Sequence, residues 1–402
     1  MKVNYSITYP LIILCLYAII SCKERKEIHD FDIDILELDI RNALSQKENT
    51  LFLSGLTREI KYIPLETNDS YLLRRIHKLI LVQDHIFISD GRGLFQFDLS
   101  GIFVRQIGGP GKGPGEHGTR IRFTVDTVRT EILIFSSNII NVYDLKTGAY
   151  KRNFYVGLDV SDFAVFPQGN LVLFTHELPV EAVVSSINEV YLADIKGEMV
   201  DSIVNYNRLN HKRIQAPRGY VSLFSINKGE LRYLYNYRDT LYVLTNNFER
   251  QPYAVFNLDN KISRDNLLIE PIYDEIQHPD FIWISEVLEN SQYLFITLQK
   301  GHAILIDPDI QEIVYDKRSG DLLPTSGFIN DIDGGMPFWP QFFAGKTLIA
   351  SYLPYEIIEY YESTVGTADH SEGFINLIKN LDESDNPVLV FIEAGNYLKR
   401  EE

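Results

Sequence analysis

Five segments of the chain repeat one pattern, a short apolar strand that ends in a polar turn. They are LFQFDLSG (94–101), INVYDLKTG (140–148), VYLADIKG (190–197), LYVLTNN (241–247) and AILIDPDIQ (303–311). Their turn residues are 46, 50, 51 and 62 positions apart: Asp98, Asp144, Asp194, Thr245 and Asp307. An Asp at a turn hydrogen-bonds its own backbone, and a following Gly completes the reversal. A repeat near 50 residues is typical of β-propeller blades.

Each repeated segment is flanked by two further apolar runs. The runs in front are DHIFISD (84–90), EILIFSS (131–137), NLVLFTH (170–176), LRYLYNY (231–237) and YLFITLQ (293–299). The runs behind are IFVRQIG (102–108), AYKRNFYV (149–156), MVDSIVNY (199–206), PYAVFNL (252–258) and EIVYD (312–316). Each unit therefore predicts about four antiparallel strands. Continuous apolar runs such as ILIF predict strands that are buried on both faces. The alternation of LFQFDL predicts a strand with one solvent-exposed face.

The two ends of the chain are expected to build the sixth blade together. TLIASY (347–352) and PVLVFIE (387–393) are late strands, and IKYIPLE (60–66) is an early one. The alternating HDFDIDILELDI (29–40) is a second early candidate. Pairing early strands with late ones closes the ring and removes exposed edges.

Two segments between the late strands predict helices on the rim, PYEIIEYYE (354–362) and GFINLIKNLDE (373–383). Residues 258–282 are expected to be an insertion before the fifth blade. The predicted fold is all-β, a six-bladed β-propeller of four-stranded antiparallel blades. It is closed by N- and C-terminal strands and carries short helices near the C-terminus.

The N-terminus predicts export and a lipid anchor. The apolar run PLIILCLYAII (10–20) is too short to cross a ~30 Å hydrocarbon core but suits a signal peptide. The segment that ends in Cys22 resembles a bacterial lipobox, whose cysteine is acylated; an ordinary secretory signal is the alternative. Cleavage before Cys22 removes Cys15, the only other cysteine, so the exported domain carries no free thiol. The expected organisation is a signal peptide (1–21), a tether (22–28) and a propeller (29–402).

The charge of the chain argues against a nucleic-acid partner. Acidic residues outnumber basic ones by 55 to 38, and the formal net charge is −17. A surface that follows phosphates needs concentrated Lys and Arg.

The glycine-rich stretch IGGPGKGPGE (107–116) does not fit a phosphate-binding loop. A P-loop needs Gly-Lys-Ser/Thr at the start of a helix. Here Lys112 is followed by Gly113 and Pro114, and then by the β-branched TRIRFTVD. Glycines supply positive φ and prolines end a strand ladder, so the stretch predicts a hard turn between strands.

Four segments together carry a family resemblance: YIPLE (62–66), IGGPGKGPGE (107–116), NDIDGGMPFWP (330–340) and DNPVLV (385–390). In their order along the chain they resemble the six-bladed β-propeller lipoproteins of anaerobic Gram-negative bacteria, which are relatives of NHL-repeat propellers. The resemblance covers residues from about 30 to 395. It implies export, lipid anchoring and a six-bladed ring, and it implies no established reaction.

Motifs for catalysis or metal binding do not occur in the sequence. It has no H-E-x-x-H, C-x-x-C or G-x-S-x-G, and no histidine has a second histidine two to four positions on. We therefore predict no catalytic residue, metal or cofactor.

Two connectors supply the candidate ligand-binding residues. Asp331 and Asp333 in NDIDGG resemble an oxygen-rich cation loop, although no Glu completes an EF-hand and an Asp-Gly turn is the alternative. Phe338 and Trp339 follow in MPFWP, where an aromatic side chain either stacks on a sugar or peptide or packs in the core. Near the glycine-rich connector, Glu116, Arg120 and Arg122 are expected to line the channel or an adjacent loop face.

These observations favour a non-enzymatic module, lipid-anchored in the cell envelope, that binds a protein or glycan ligand. The expected location is the outer membrane. One alternative is a polysaccharide lyase or hydrolase whose site is assembled from several blades. A second alternative is a structural subunit of an envelope complex.

Overall fold

Antiparallel hairpins account for most strands in the computed structural model of the chain. The residues that it describes are 34–68, 71–73, 75–175, 188–205, 221–226, 229–235, 238–258, 282–300 and 309–395. Within these residues the sheets include six blades of four antiparallel strands each, which form a β-propeller, and one blade gains a fifth strand. The predicted fold is confirmed.

Each of blades 1 to 5 is built from four strands that follow one another along the chain. Blade 1 contains Lys78–Val82, His85–Ser89, Leu94–Asp98 and Phe103–Ile107. Blade 2 contains Arg122–Asp126, Glu131–Ser136, Ile139–Asp144 and Tyr150–Tyr155. Blade 3 contains Val160–Val165, Leu171–Thr175, Asn188–Ala193 and Met199–Val204. Blade 4 contains Val221–Ile226, Glu230–Tyr235, Thr240–Leu244 and Arg250–Phe256. Blade 5 contains Ile282–Glu289, Tyr293–Lys300, Asp309–Asp316 and Leu322–Thr325.

Blade 6 is built from both ends of the chain, as predicted. Its first three strands are Phe342–Ala344, Thr347–Tyr352 and Val388–Glu393. Its fourth strand is Lys61–Pro64, which pairs antiparallel with the third so that Ile63 lies opposite Leu389. The first strand of each blade contacts the first strands of both neighbouring blades, so the ring closes around a channel.

Residues 35–56, called the N-terminal strap below, run along the outer side of blades 4 and 5 towards blade 6. Leu36–Leu38 pairs in parallel with Arg250–Phe256 and adds a fifth strand to blade 4. Helix α1 (Ile40–Leu44) follows, and the Asp39 carboxylate caps it by accepting from the Asn42 amide.

The strap then reaches blade 5. The Asn49 amide and side chain both donate to the Pro324 carbonyl. Leu51–Phe52 pairs in parallel with Phe328–Ile329, and a 3₁₀ turn follows at Leu53–Gly55.

The expectation that residues 29–40 supply a strand of the sixth blade is therefore wrong for the part that is described. Leu38 is buried in a cluster with Leu241 and Ala254 of blade 4, and Leu36 packs against that cluster. An alternating segment can pair with any sheet edge that buries its apolar side, so the pattern does not predict which sheet it joins. Residues 29–33 lie outside the described residues.

The predicted strand order of the fifth repeat is wrong by one strand. EIVYD ends the third strand of blade 5 and does not form the fourth. Asp316 is the turn residue, because its carboxylate accepts from the amides of Arg318 and Ser319. The predicted turn residue Asp307 lies outside the described residues. The predicted insertion at 258–282 also lies outside them, apart from Leu258 and Ile282.

Neighbouring blades bury both faces of the inner strands. Every residue of Glu131–Ser136 is buried. In LFQFDL the predicted wet face is wrong, since Gln96 is only 1% exposed. The adjacent blade covers the polar side of this strand as fully as the apolar side, so alternation here does not report exposure.

Two helices lie between the second and third strands of blade 6, which confirms the helix predictions. Helix α2 (Pro354–Thr364) begins with a proline, and the Glu356 carboxylate accepts from the Leu353 amide. Helix α3 (Glu372–Lys379) is capped by the Ser371 hydroxyl, which accepts from the Phe374 amide. The buried cluster beneath them contains Ile357, Phe374 and Val388.

The order of the strands places two kinds of connection at the same end of the ring. Because the strands of a blade alternate in direction, the link to the next blade and the turn between the second and third strands emerge together. This end is called the connector end below. The predicted ligand residues belong to links between blades, except Arg122, which begins the first strand of blade 2.

We expect Ile63→Ala to lower the free energy of unfolding by about 2–4 kcal/mol, because Ile63 is 2% exposed in the closing pair of strands. Urea denaturation measures this. The control is Ile102→Ala, a 56% exposed isoleucine, which should change the stability by less than about 0.5 kcal/mol. Equal effects of the two substitutions would contradict a structural role for the N-terminal strand.

Candidate functional site

Six of the residues that the sequence predicts to bind a ligand lie in two links between blades, and Arg122 begins the first strand of blade 2. Glu116 and Arg120 belong to the link from blade 1 to blade 2, between Ile107 and Arg122. Asp331, Asp333, Phe338 and Trp339 belong to the link from blade 5 to blade 6, between Thr325 and Phe342. Cys22 lies outside the described residues.

The glycine-rich link is a folded turn, as predicted, and no helix begins in it. The Gly111 amide donates to the His117 carbonyl (3.0 Å), and the His117 amide donates to the Gly109 carbonyl (2.8 Å). Gly115 has φ of +77°, and a Cβ there would lie 2.9 Å from the Tyr150 side chain. A side chain at this position would be strained and crowded, so the sequence needs glycine.

Glu116 shapes this link and does not line the cavity beside it. Its carboxylate accepts from the Gly113 amide (2.7 Å), and its carbonyl accepts from the Asn141 side chain (3.1 Å). Arg120, four residues on, is exposed and lines the cavity.

The cavity has two lobes at the connector end of blades 1 to 3. Lobe one has a volume of about 820 Å³, and lobe two has a volume of about 750 Å³. Thr119, Arg120 and Arg122 line both lobes, so the two are adjacent. Each volume is within the range of small-molecule sites.

Lobe one is lined by more basic than acidic side chains. The basic ones are Lys78, Arg92, Arg120 and Arg122, and the acidic ones are Asp90 and Asp162. Four cations against two anions leave a local charge of +2 with His77 neutral. The whole chain has a net charge of −17, so this lobe has the opposite sign to the protein as a whole.

Fixed polar contacts hold the wall of lobe one in place. Lys78 of blade 1 forms an ion pair with Asp162 of blade 3, with 2.9 Å from Nζ to Oδ1. Arg122 of blade 2 donates through Nε to the Ser161 carbonyl of blade 3 (2.7 Å). These contacts join the first strands of three successive blades at the channel mouth.

His77 adds a neutral ring to this wall. Burial lowers the pKa of His77, and the Arg122 guanidinium lowers it further. The imidazole is therefore uncharged at neutral pH, and the positive charge of lobe one comes from Lys and Arg side chains.

Asp331 and Asp333 bind the N-terminal part of the chain. Both Asp331 carboxylate oxygens accept from Ser54 in the strap, at 2.8 Å from its amide and 2.6 Å from its hydroxyl. Asp333, which is 8% exposed, accepts from the Tyr62 hydroxyl (3.1 Å) of the closing strand. The Asn330 side chain (2.7 Å) and the Gly335 amide (3.0 Å) also donate to Asp333. The NDIDGG loop therefore fastens the strap and the closing strand to the last link of the ring.

Phe338 and Trp339 pack between blades 5 and 6. Phe338 is 1% exposed, and its backbone pairs with that of Phe328. Trp339 is half-buried and stacks on Phe328, with 6.3 Å between the ring centroids. Its indole nitrogen donates to the Thr297 hydroxyl at 3.0 Å.

A row of polar side chains crosses blade 5 beneath Trp339. Glu286 lies opposite Thr297, and Thr297 lies opposite Glu312, so the three share one face of the sheet. Burial raises the pKa of Glu286 to about 7, although Arg75 acts in the opposite direction. Burial also raises the pKa of Glu312 to about 7.

Two buried glutamates elsewhere, Glu189 and Glu289, form ion pairs with basic side chains. Glu189 binds Arg238 and Arg250, and Glu289 binds Lys317.

Among the described residues, no group of three or more His, Cys, Asp or Glu side chains is arranged to hold a metal ion.

A second cavity, of about 920 Å³, lies beside the closing strand. Its charged lining is balanced, with Arg58 and Lys61 against Glu59 and Glu393. Charge therefore distinguishes lobe one from this cavity.

Residues 35–393 match the model of a protein family described as Domain of unknown function (DUF4934). The chain belongs to the DUF4934 family. No curated protein matches it. Within the described residues, no helix has the length and apolar character needed to cross a membrane.

Two solved structures share the fold of this DUF4934 chain. A protein described as exported, from Bacteroides fragilis NCTC 9343, is 19% identical with a TM-score of 0.67, and the match covers 90% of this chain and 99% of that one. A member of the DUF4221 family from Bacteroides vulgatus ATCC 8482 is 12% identical with a TM-score of 0.51, and the match covers 88% and 100%. At these identities the likeness shows the fold alone.

Sequence reasoning found Arg120 and Arg122 of this DUF4934 propeller but missed His77, Lys78 and Asp162. A signal was present, because Lys78 and Arg122 each occupy the first position of the first strand of a blade. Aligning the repeats on their first strands, which line the channel, would have placed both basic residues at its mouth.

We expect Asp333→Ala to lower the free energy of unfolding by about 2–4 kcal/mol, because it leaves the Tyr62, Asn330 and Gly335 donors without their shared acceptor. Thermal and urea denaturation measure this effect. Calcium should not raise the melting temperature of the wild-type protein, since protein donors already occupy both aspartates. A calcium-dependent rise that Asp333→Ala abolishes would contradict this assignment.

We expect Glu312→Gln to raise the free energy of unfolding at pH 8 by about 1–2 kcal/mol and to have little effect at pH 4.5. A folded-state pKa near 7 means that ionisation destabilises the native state progressively as the pH rises from about 4.5 through 7. Urea denaturation across this pH range tests the prediction. Glu362→Gln, on the exposed side of α2, is the control. A gain that does not depend on pH would show that ionisation of Glu312 is not its source.

Proposed function

We propose that this protein is an exported, lipid-anchored propeller that captures an anionic ligand in the two-lobed cavity at the connector end. The observation that carries the proposal is the charge of lobe one, where four basic side chains face two acidic ones in a chain of net charge −17. An isolated basic surface on an acidic protein attracts anions to one place and repels them elsewhere.

The side chains of lobe one suit carboxylate, sulfate or phosphate groups. Arginine presents a planar set of donors that pairs with such groups through two parallel hydrogen bonds. Arg92 and Arg120 are exposed, so their guanidinium groups are accessible to a ligand. Lys78 and Arg122 are held by protein partners and fix the geometry of the site.

The lining of lobe one favours binding over cleavage of a polysaccharide. Acid–base catalysis needs carboxyl groups that can exchange protons with the substrate. Asp90 accepts from the Arg92 and Gly93 amides, and Asp162 is paired with Lys78. Both carboxylates of this lobe are therefore engaged in contacts that hold the wall of the cavity in place.

Attachment through lipid on Cys22 is part of the proposal, as is a place in the outer membrane. It is supported by the signal-like run at 10–20 and by the lipobox-like residues before Cys22. The similar protein of Bacteroides fragilis is described as exported.

We expect the double variant Arg92→Ala, Arg120→Ala to weaken binding of a uronic acid oligosaccharide or a sulfated oligosaccharide at least tenfold, or about 1.4 kcal/mol. Calorimetric titration at two salt concentrations measures this, and wild-type affinity should fall as salt rises. A neutral oligosaccharide of the same length should bind more weakly.

Arg58→Ala is the matched control, because it removes the same charge from an exposed position in the cavity beside the closing strand. The variant should bind like the wild type. Absence of binding to any anionic probe, or equal losses in the double variant and the control, would refute the proposal.

A further inference from the structure

Lobe two has a different chemical character from lobe one. Beyond the shared Thr119, Arg120 and Arg122, its polar lining is Ser136, Ser137, Asn138 and Asp159. Hydroxyl and amide groups predominate here, and these groups both donate and accept hydrogen bonds. Such a surface suits a ligand with many hydroxyl groups.

The turn that supplies two of these side chains adopts an unfavourable backbone conformation. Ser137 and Asn138 connect the second and third strands of blade 2 and have φ of +52° and +65°. Glycine adopts positive φ without strain, whereas a residue with a Cβ is disfavoured there, and serine more so than asparagine. The chain thus keeps a hydroxyl and an amide at a turn where glycine would be more stable.

Protein contacts hold the turn in position. The Asn138 carbonyl accepts from the Val156 amide at 2.9 Å. The Ser136 hydroxyl accepts from the Gly118 amide at 3.1 Å, which joins the turn to the glycine-rich link. Ser137 is exposed and Asn138 is half-buried. The turn therefore presents polar side chains from a fixed backbone.

We infer that the ligand is an acidic oligosaccharide whose charged group lies in lobe one while an adjacent neutral sugar lies against Ser137 and Asn138 in lobe two. This inference rests on the proposed function and specifies its ligand class. Arg120 and Arg122 line both lobes, so the charged group and the neutral ring are neighbours in the ligand. The charged group is a carboxylate or a sulfate.

Three matched probes test this inference by calorimetric titration. The first is a uronic acid monosaccharide, the second is a set of disaccharides that link this acid to a neutral hexose, and the third is the corresponding neutral disaccharides. A parallel set with sulfate in place of the carboxylate distinguishes the two anions. The best acidic disaccharide should bind at least tenfold more tightly than the monosaccharide of the same charge, and the neutral disaccharides should bind most weakly.

Asn138→Gly is the decisive variant, because glycine suits the positive φ of this position. It should keep or raise the melting temperature while it removes most of the disaccharide's advantage, with monosaccharide binding unchanged. Ser137→Gly is a second variant with the same expected result. Arg120→Ala should weaken binding of both the monosaccharide and the disaccharide.

The outcomes separate this inference from the proposed function. If the acidic probes bind, but disaccharides have no advantage or Asn138→Gly leaves it intact, the inference is wrong and anion binding stands. If no acidic probe binds to the wild-type protein, the proposed function itself fails.

Discussion

The pairing of Lys61–Pro64 with Val388–Glu393 is the constraint on which the rest of the ring depends. The four strands of each of blades 1 to 5 pair with strands that are adjacent in the sequence, so forming these pairs orders little of the chain beyond the turns between them. The closing pair joins opposite ends of the chain and carries a larger entropic cost. Two sets of contacts support it: Asp331 binds the strap through Ser54, and Asp333 binds Tyr62 of the closing strand itself.

Ring closure also positions the candidate site. Its walls come from the first strands of blades 1 to 3, the links that precede these strands, and the turns between the second and third strands of blades 1 and 2, so no single blade contains it. The ion pair from Lys78 to Asp162 spans blades 1 and 3, and Arg122 of blade 2 binds the Ser161 carbonyl beside it. Asp331 and Asp333, which support ring closure, and the basic side chains of the cavity therefore lie at two different places around the same ring.

Local patterns predicted the fold better than the site. Apolar runs, Asp turns and the helix-starting Pro354 and Ser371 act within a few residues, so the blades and rim helices could be read from the sequence. The contacts between residues that are far apart in the sequence could not be read from it. The alternating segment that contains Leu36 fits several sheet edges, and Asp331 and Ser54 meet across 277 positions. An acidic turn that holds two protein donors has the same sequence as one that holds a cation. Trp339 similarly gave no sign of its partner Thr297, 42 positions away.

Native-state hydrogen exchange at the hydrogen-bonded amides of residues 61–63 and 388–393 tests ring closure most directly; Pro64 has no amide hydrogen. If closure holds the propeller together, these amides exchange only through global unfolding, and their opening free energies match those of Glu131–Ser136 in blade 2. Exchange of these amides in residues 61–63 through a much lower opening free energy, while blade 2 stays protected, would show that the ring persists without its N-terminal strand and would contradict the account.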